Sequence, residues 1–366
     1  MAPRPEDLEM INAEMWRVRR VLVTGHTGFK GGWLSLWLSS LGAEVAGYAL
    51  DPPTQPNLFE AAHVGSALHD HRGDIRDVAG VRSIVEAFDP EVVFHLAAQP
   101  ILRYGYREPV ETYATNVVGT AAVLDACRRA PSVRAIVSVT TDKCYENRDW
   151  VWGYREIDRL GGFDPYSSSK ACAELVTDAF RRSFFETAPT RTGVATARAG
   201  NVIGGGDWAE DRLVPDLVRA VAAGQIAVIR NPGAVRPWQH VLEPLSGYIR
   251  LAEHLMTDAE TYSGAWNFGP STTSFQPVAS VLAWLGKHWD GKLKWSIDAG
   301  SHPHEAARLL LDPTKAHDKL GWSPRLKLED ALRLSVEWYD AHQDGHSDMR
   351  RLSEAQISWY ANLAGA

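Results

Sequence analysis

Cysteine is scarce. The 366 residues hold three, Cys127, Cys144 and Cys172. They form no CxxC pair and no metal-ligand spacing, and an odd number makes a poor disulfide framework. No metal site is therefore expected, and a reducing compartment fits best. Long apolar runs are missing too: nothing approaches the roughly 18 residues of a membrane span. Positive charge is not in excess. Lys and Arg number 38 against 45 Asp and Glu, a net charge of −7, with no basic stripe. That argues against a nucleic-acid or anionic-membrane partner. The segment Met1 to Trp16 carries Glu6, Asp7, Glu9 and Glu14. It lacks the basic start and apolar centre of a signal peptide, so the cytoplasm is the expected location. There is no internal repeat and no low-complexity segment.

What remains is an ordinary globular composition, 45% hydrophobic and 23% charged, long enough for one large domain or two intimate ones. Tryptophan is abundant, at 14 residues; such residues pack cores and surfaces, and also line interfaces and sugar sites. Apolar runs at Arg19–Thr24, Glu44–Leu50, Val92–Leu96, Ala135–Thr140 and Gly193–Ala199 read as buried strands. Helical spacing fills the intervals at Gly31–Leu41, Val78–Phe88, Thr112–Ala130 and Ser167–Phe185. Unbroken alternation predicts an α/β fold, a doubly wound parallel sheet of Rossmann type. After about residue 200, glycine, proline and tryptophan rise and helices such as Val214–Ala223 and Pro244–Met256 mix with short strands. The expected division is a dinucleotide-binding domain over 17–200 and a smaller mixed substrate region over 201–350. Segments around 241–269, including a strand at Gly264–Gly269, are candidates to return to the sheet.

Between the first strand and first helix lies Gly25-His26-Thr27-Gly28-Phe29-Lys30-Gly31. In a GxxGxxG turn the first glycine permits the tight bend, the second lets a pyrophosphate approach the backbone, and the third lets helix and strand pack closely. The helix N-terminus adds unpaired N–H groups and a positive dipole end. Asp51 ends the second strand, about 20 residues on, where an acid accepts bonds from a ribose 2′-OH and repels a 2′-phosphate. With no arginine beside it in the sequence, NAD is expected over NADP, although Asp51 also reads as a solvated turn residue before Pro52-Pro53. Asp74-Ile75 follows a third strand and suits the adenine edge.

Tyr166-Ser167-Ser168-Ser169-Lys170 has YxxxK spacing, which stacks both side chains on one helix face. A lysine ammonium there would lower the phenol toward neutrality, so that it could take a proton from an alcohol. Thr140-Thr141-Asp142-Lys143 ends a strand at the carboxyl edge, where doubly wound sheets build their sites. Thr141 would orient a substrate alcohol; Asp142 and Lys143 would stand side by side as acid and base.

These segments carry a resemblance, together with His95-Leu96-Ala97-Ala98-Gln99, Cys144-Tyr145-Glu146-Asn147, Arg198-Ala199-Gly200-Asn201-Val202-Ile203-Gly204-Gly205-Gly206-Asp207-Trp208 and Arg236-Pro237-Trp238-Gln239-His240-Val241. The chain resembles the extended short-chain dehydrogenases from about Met10 to near its C-terminus. Within them it resembles the nucleotide-sugar 4,6-dehydratases of the CDP-glucose subgroup. The resemblance implies bound NAD, held by Gly25, Thr27, Gly28, Phe29, Lys30, Asp51, Asp74, Ile75, Leu96, Ala97, Ala98, Tyr166 and Lys170. It implies a nucleotide-sugar held by Gln99, Asn201, Arg236, His304 and Arg308, with Glu305 nearby and Asn116 supporting the sheet edge. It implies an internal redox cycle. C4 is oxidised with Tyr166 as base, the C5 proton and C6 hydroxyl leave as water, and the hydride returns to C6. Related dTDP-glucose enzymes carry Asp-Glu where this chain has Asp142-Lys143, so Asp142 is the implied acid and Lys143 the positional base. The two long helices resemble a pair that forms a four-helix homodimer contact. Two rival functions remain in view: a 4-epimerase, which has no use for an elimination acid, and a non-catalytic NAD(H) sensor, which would typically lose the tyrosine or lysine of YxxxK.

Overall fold

A computed structural model describes residues 11–188, 191–298, 300 and 308–363. Seven parallel strands form its central sheet: β1 (Arg20–Thr24), β2 (Glu44–Ala49), β3 (His69–Arg72), β4 (Val92–His95), β5 (Ala135–Val139), β6 (Gly193–Ala199) and β7 (Gly264–Phe268). Their spatial order is β7-β6-β5-β4-β1-β2-β3. The inner strands are buried along their whole length because helices cover both faces. Strand order reverses between β1 and β4, and a crevice opens there at the carboxyl ends, where doubly wound sheets take ligands. β7 pairs with β6 from Gly264↔Ala195 to Phe268↔Ala199, so this late segment does return to the sheet.

Helix α1 (Phe29–Ser40) starts two residues earlier than its apolar spacing suggests, with Gly28 at the N-cap in an extended conformation. Trp33, Leu34, Trp37 and Leu38 are all buried, because α1 lies between the sheet and the C-terminal helices. Trp37 meets Tyr360 edge-on at 5.7 Å. Helix α2 (Val78–Phe88) is capped by Asp77, whose side chain accepts from the Ala79 N–H at 3.1 Å.

The third helix begins with a proline at its first position. α3 (Pro109–Tyr113) passes through a π turn at Ala114–Val118 into α4 (Gly119–Cys127). The extra residue of the π turn lies in the stretch that buries Asn116. Helix α5 (Pro165–Phe180) also starts with proline, and Asp164 caps it by accepting from the Ser167 N–H at 2.9 Å. α6 (Leu213–Ala222), α7 (Leu242–Thr257) and α8 (Leu328–Asp344) follow, and α7 packs on β5 and β6. No helix of the described residues is long and apolar enough to cross a membrane.

Candidate active site

The glycine loop sits at the crevice. Gly25 has φ +80°, and a Cβ there would lie 2.7 Å from the Ala97 nitrogen, so the loop and the end of β4 touch backbone to backbone. A Cβ at Gly31 would lie 2.1 Å from the Gly25 carbonyl oxygen, which is why a third glycine closes the turn. At Gly28 the nearest such neighbour is 3.4 Å away. The N-terminus of α1 has no side-chain cap. This cradle of small residues under free amides suits a pyrophosphate. Thr27 acts by anchoring, its hydroxyl donating to the Leu50 carbonyl at 2.9 Å. Leu96 and Ala97 hang from β1, their N–H groups donating to the Thr24 carbonyl at 3.1 Å and hydroxyl at 3.2 Å. Ala98 follows in the same half-buried segment. His95 below, pushed down to about 3 by burial, stays neutral between the Thr24 and Thr120 hydroxyls.

At the residues expected to face adenosine, the fold adds neighbours that the sequence order hides. Asp51 is 90% exposed, but an arginine does stand beside it in space: Arg72 Nη1 is 3.6 Å from its carboxylate. Parallel pairing of Ala49 with Arg72 makes the two neighbours despite their distance in sequence. Arg72 also donates to Asp70 at 2.9 Å and lies over the Phe59 ring. Asp74 is engaged with Arg76, whose Nε and Nη2 donate to it at 2.8 and 2.6 Å and hold its carboxyl below the usual range. Ile75 is buried against Gly119, so its side chain belongs to the core.

After β5 the chain makes a short turn over Asp142–Cys144, capped by Thr141. The Thr141 hydroxyl accepts from the Lys143 N–H at 3.3 Å and donates to Asp142 Oδ1 at 3.0 Å. Asp142 is 3% exposed. Its Oδ2 is buried with no hydrogen-bond partner. Gly200 leaves that oxygen room, since a Cβ there would approach it to 2.8 Å. Burial raises the Asp142 carboxyl, while Lys143, Thr141, Arg236 and Lys30 draw it back. Lys143 is half-buried and makes no side-chain hydrogen bond or ion pair among the described residues.

Tyr166, in the first turn of α5, is buried beside Thr141. The expectation that Lys170 brings its phenol toward neutrality is not met. Burial pushes the phenol up to about 12, and the groups pulling it back are Thr141 and Arg212. The Lys170 ammonium donates instead to the Val139 carbonyl at 3.2 Å, and burial takes it down to about 8 against the pull of Glu174.

Two further cations stand here. Lys30 of the glycine loop reaches into the site, beside Arg212, Asp142 and Lys170. Burial lowers it to about 7, with Arg212 and Lys170 lowering it further and Asp142 and Asp207 raising it. Arg212 precedes α6 and pairs with buried Asp207 at 2.8 Å. Nothing in the sequence marks Arg212, because only the fold of the Gly204–Trp208 segment brings it over Tyr166. That segment is glycine-rich for packing: a Cβ at Gly205 would lie 2.0 Å from Trp338, and the Trp33 indole donates to the Gly205 carbonyl at 2.9 Å.

Of the expected substrate residues, Arg236 is buried near Asp142 and donates to the Val235 carbonyl at 3.1 Å. Asn201 lies on the loop after β6, its carbonyl accepting from the Gln239 N–H at 3.0 Å. Arg308 bridges to Val235, beside Arg236. Gln99 is differently occupied: its amide donates to Thr112 at 2.8 Å, and its carbonyl accepts from the Ile101 N–H. It shapes its own loop. Asn116 grips that loop too, accepting from the Gln99 N–H at 2.8 Å and donating to the Gln99 carbonyl at 3.1 Å and the Ser169 hydroxyl at 2.8 Å. His304 and Glu305 lie outside the described residues.

The fold that carries this site has known counterparts. An epimerase from Methanothermobacter thermautotrophicus superposes with a TM-score of 0.80 at 20% identity, over 94% of this chain and 98% of that one. A dTDP-glucose 4,6-dehydratase from Bacillus anthracis, solved with NAD, gives 0.72 at 21% identity, over 89% and 98%. At such identities the likeness is one of fold. In sequence, the chain is 50% identical to the CDP-glucose 4,6-dehydratase of Salmonella typhimurium across 96% of this chain and 98% of that protein. It is 30% identical to a dTDP-glucose 4,6-dehydratase of Xanthomonas campestris across 88% and 93%. Residues 22–334 match the family model described as GDP-mannose 4,6 dehydratase. With a glycine cradle, a buried tyrosine and an acid–lysine turn on one sheet edge, the chain belongs to that family.

Proposed function

We propose that the protein is an NAD-dependent CDP-D-glucose 4,6-dehydratase, a hydro-lyase that forms CDP-4-dehydro-6-deoxy-D-glucose and water. The observation that carries this reading is the buried Asp142 carboxyl, with one oxygen unpartnered, beside Thr141 and Lys143. A 4-epimerase needs Tyr166 but has no leaving hydroxyl to protonate. NAD bound in the cradle would accept hydrogen from C4 and return it to C6. Tyr166 takes the C4 hydroxyl proton, with Thr141 orienting that oxygen. Lys170 lies one turn further along α5, within reach of a ribose. The new C4 carbonyl acidifies C5–H. Lys143, in its neutral form, takes that proton while Asp142 gives its own to the departing C6 oxygen, and the proton taken from C5 is then returned there. Arg236, Asn201 and Arg308 hold the diphosphate side, forked guanidinium donors matching phosphate oxygens. Residues 17–200 with β7 carry the cofactor, and 201–350 mainly the nucleotide-sugar.

The cytosine preference rests on the 50% identical relative. Turnover of CDP-, dTDP-, UDP- and GDP-glucose should differ, with efficient loss of water from the CDP-sugar alone. Equal turnover of dTDP-glucose would overturn the preference. The three unpaired cysteines accord with a reducing cytosol. A homodimer is part of the same proposal: Val110 is 81%, Val118 55% and Leu175 59% exposed on the two long helices. Such apolar side chains favour a covered face. Light scattering giving a monomer mass would contradict it.

A further inference from the structure

The catalytic turn is held at both ends by a buried polar network that the chemistry itself does not use. Glu174 lies one turn beyond Lys170 on α5 and is buried with Arg198 of β6, each side chain 3% exposed, at 2.7 Å. One Glu174 oxygen accepts from the Thr140 hydroxyl; the other accepts from the Thr196 hydroxyl at 2.7 Å and from Arg198. Thr140 immediately precedes Thr141. At the other end, Arg198 Nη1 donates to the Tyr145 hydroxyl at 2.7 Å, and that hydroxyl donates to the side-chain Oδ1 of Asn267 on β7 at 2.8 Å. Arg198 also lies over the Tyr145 ring at 4.9 Å. The residues between these two anchors are Thr141, Asp142, Lys143 and Cys144.

We infer that Glu174, Arg198 and Tyr145 are positioning residues for the elimination half of the reaction, a clamp that fixes where Asp142 and Lys143 face the sugar. The inference rests on the dehydratase reading above. A buried ion pair is poor evidence of added stability, because apolar residues of similar volume often fold as well or better. This one joins three separate elements, α5, β6 and β7, to the segment that follows β5, and its hydrogen bonds end on the residues flanking the reactive turn. Tyr166 is anchored elsewhere, by the Asp164-capped start of α5. Loosening the clamp should therefore separate the two half-reactions.

The test uses the full chain with NAD and CDP-glucose. Tyr145→Phe keeps the ion pair and the ring but removes both hydroxyl bonds; Glu174→Gln removes the charge at constant shape. Stopped-flow absorbance of reduced nicotinamide reads C4 oxidation, and deuterium uptake from solvent at C5, with loss of water, reads elimination. A misplacement near 1 Å costs about 100-fold. Elimination should slow by roughly tenfold in Tyr145→Phe and about 100-fold in Glu174→Gln. In Tyr145→Phe, which leaves Glu174 beside Lys170, oxidation should stay within about threefold and KM should hardly change, and Glu174→Asp should recover part of the loss seen in Glu174→Gln. Equal slowing of both halves, or elimination within about twofold of the parent in folded variants, would overturn the clamp. If Glu174→Gln does not fold, Tyr145→Phe decides alone. A parent protein that releases no water from CDP-glucose ends the functional reading and the clamp with it; an active parent with indifferent variants ends only the clamp.

Discussion

Tyr166→Phe should lower turnover of CDP-glucose by about 10²- to 10⁴-fold, the usual worth of a positioned acid–base group. The substitution deletes one oxygen from a buried ring in a helix whose cap, Asp164, is untouched. The fold and NAD affinity should therefore stay close to those of the parent, as read by thermal melting and by titration. The lost atom is the phenol oxygen beside Thr141. Because burial holds the phenol near 12, its deprotonated form is scarce at neutral pH. A base must be deprotonated to act, so C4 oxidation by the parent should accelerate as pH rises through neutrality, and this rise should be absent from the variant. A variant turning over as fast as the parent would remove Tyr166 from the mechanism.

Asp142→Asn should produce a different defect. The carboxyl is the proton source for the C6 oxygen, so dehydration should fall by about 10²- to 10⁴-fold. C4 oxidation, which uses Tyr166, should survive, and reduced nicotinamide should accumulate on mixing with CDP-glucose. The pH dependence has a definite sign. Burial favours the protonated form and raises the titration of Asp142, while Lys143, Arg236 and Lys30 oppose it. Elimination by the parent should fall as pH rises through that raised value, because the acid is lost. Stopped-flow mixing across pH checks both statements. Equal loss of oxidation and dehydration in Asp142→Asn would assign the carboxyl to some other task.

Much of this was legible in the sequence, for reasons that particular residues make plain. β6 and α2 fall where the sequence pattern puts them, Gly193–Ala199 and Val78–Phe88, because buried parallel strands are rich in small and apolar residues and helices repeat every 3.6 residues. Gly25 was readable because a turn with φ +80° against Ala97 admits little else. Side-chain direction was less accessible. Arg72 meets Asp51 only because β2 and β3 pair in one register. Gln99 turns inward because Thr112 and Ile101 present a complete set of partners. Lys170 points to Val139 although YxxxK spacing aligns it with Tyr166, since spacing fixes the face of a helix and not the rotamer. Lys30 and Arg212 come together across 182 positions of sequence, and no local pattern reports such a meeting.

The central claim is an internal redox cycle with elimination, and one measurement reaches it directly. CDP-glucose deuterated at C4, incubated with the protein and NAD in ordinary water, should give a 4-keto-6-deoxy product with the deuterium at C6. Deuterium retained at C4 in an epimer, with no loss of water, would contradict the account and leave the cradle and Tyr166 to an epimerase.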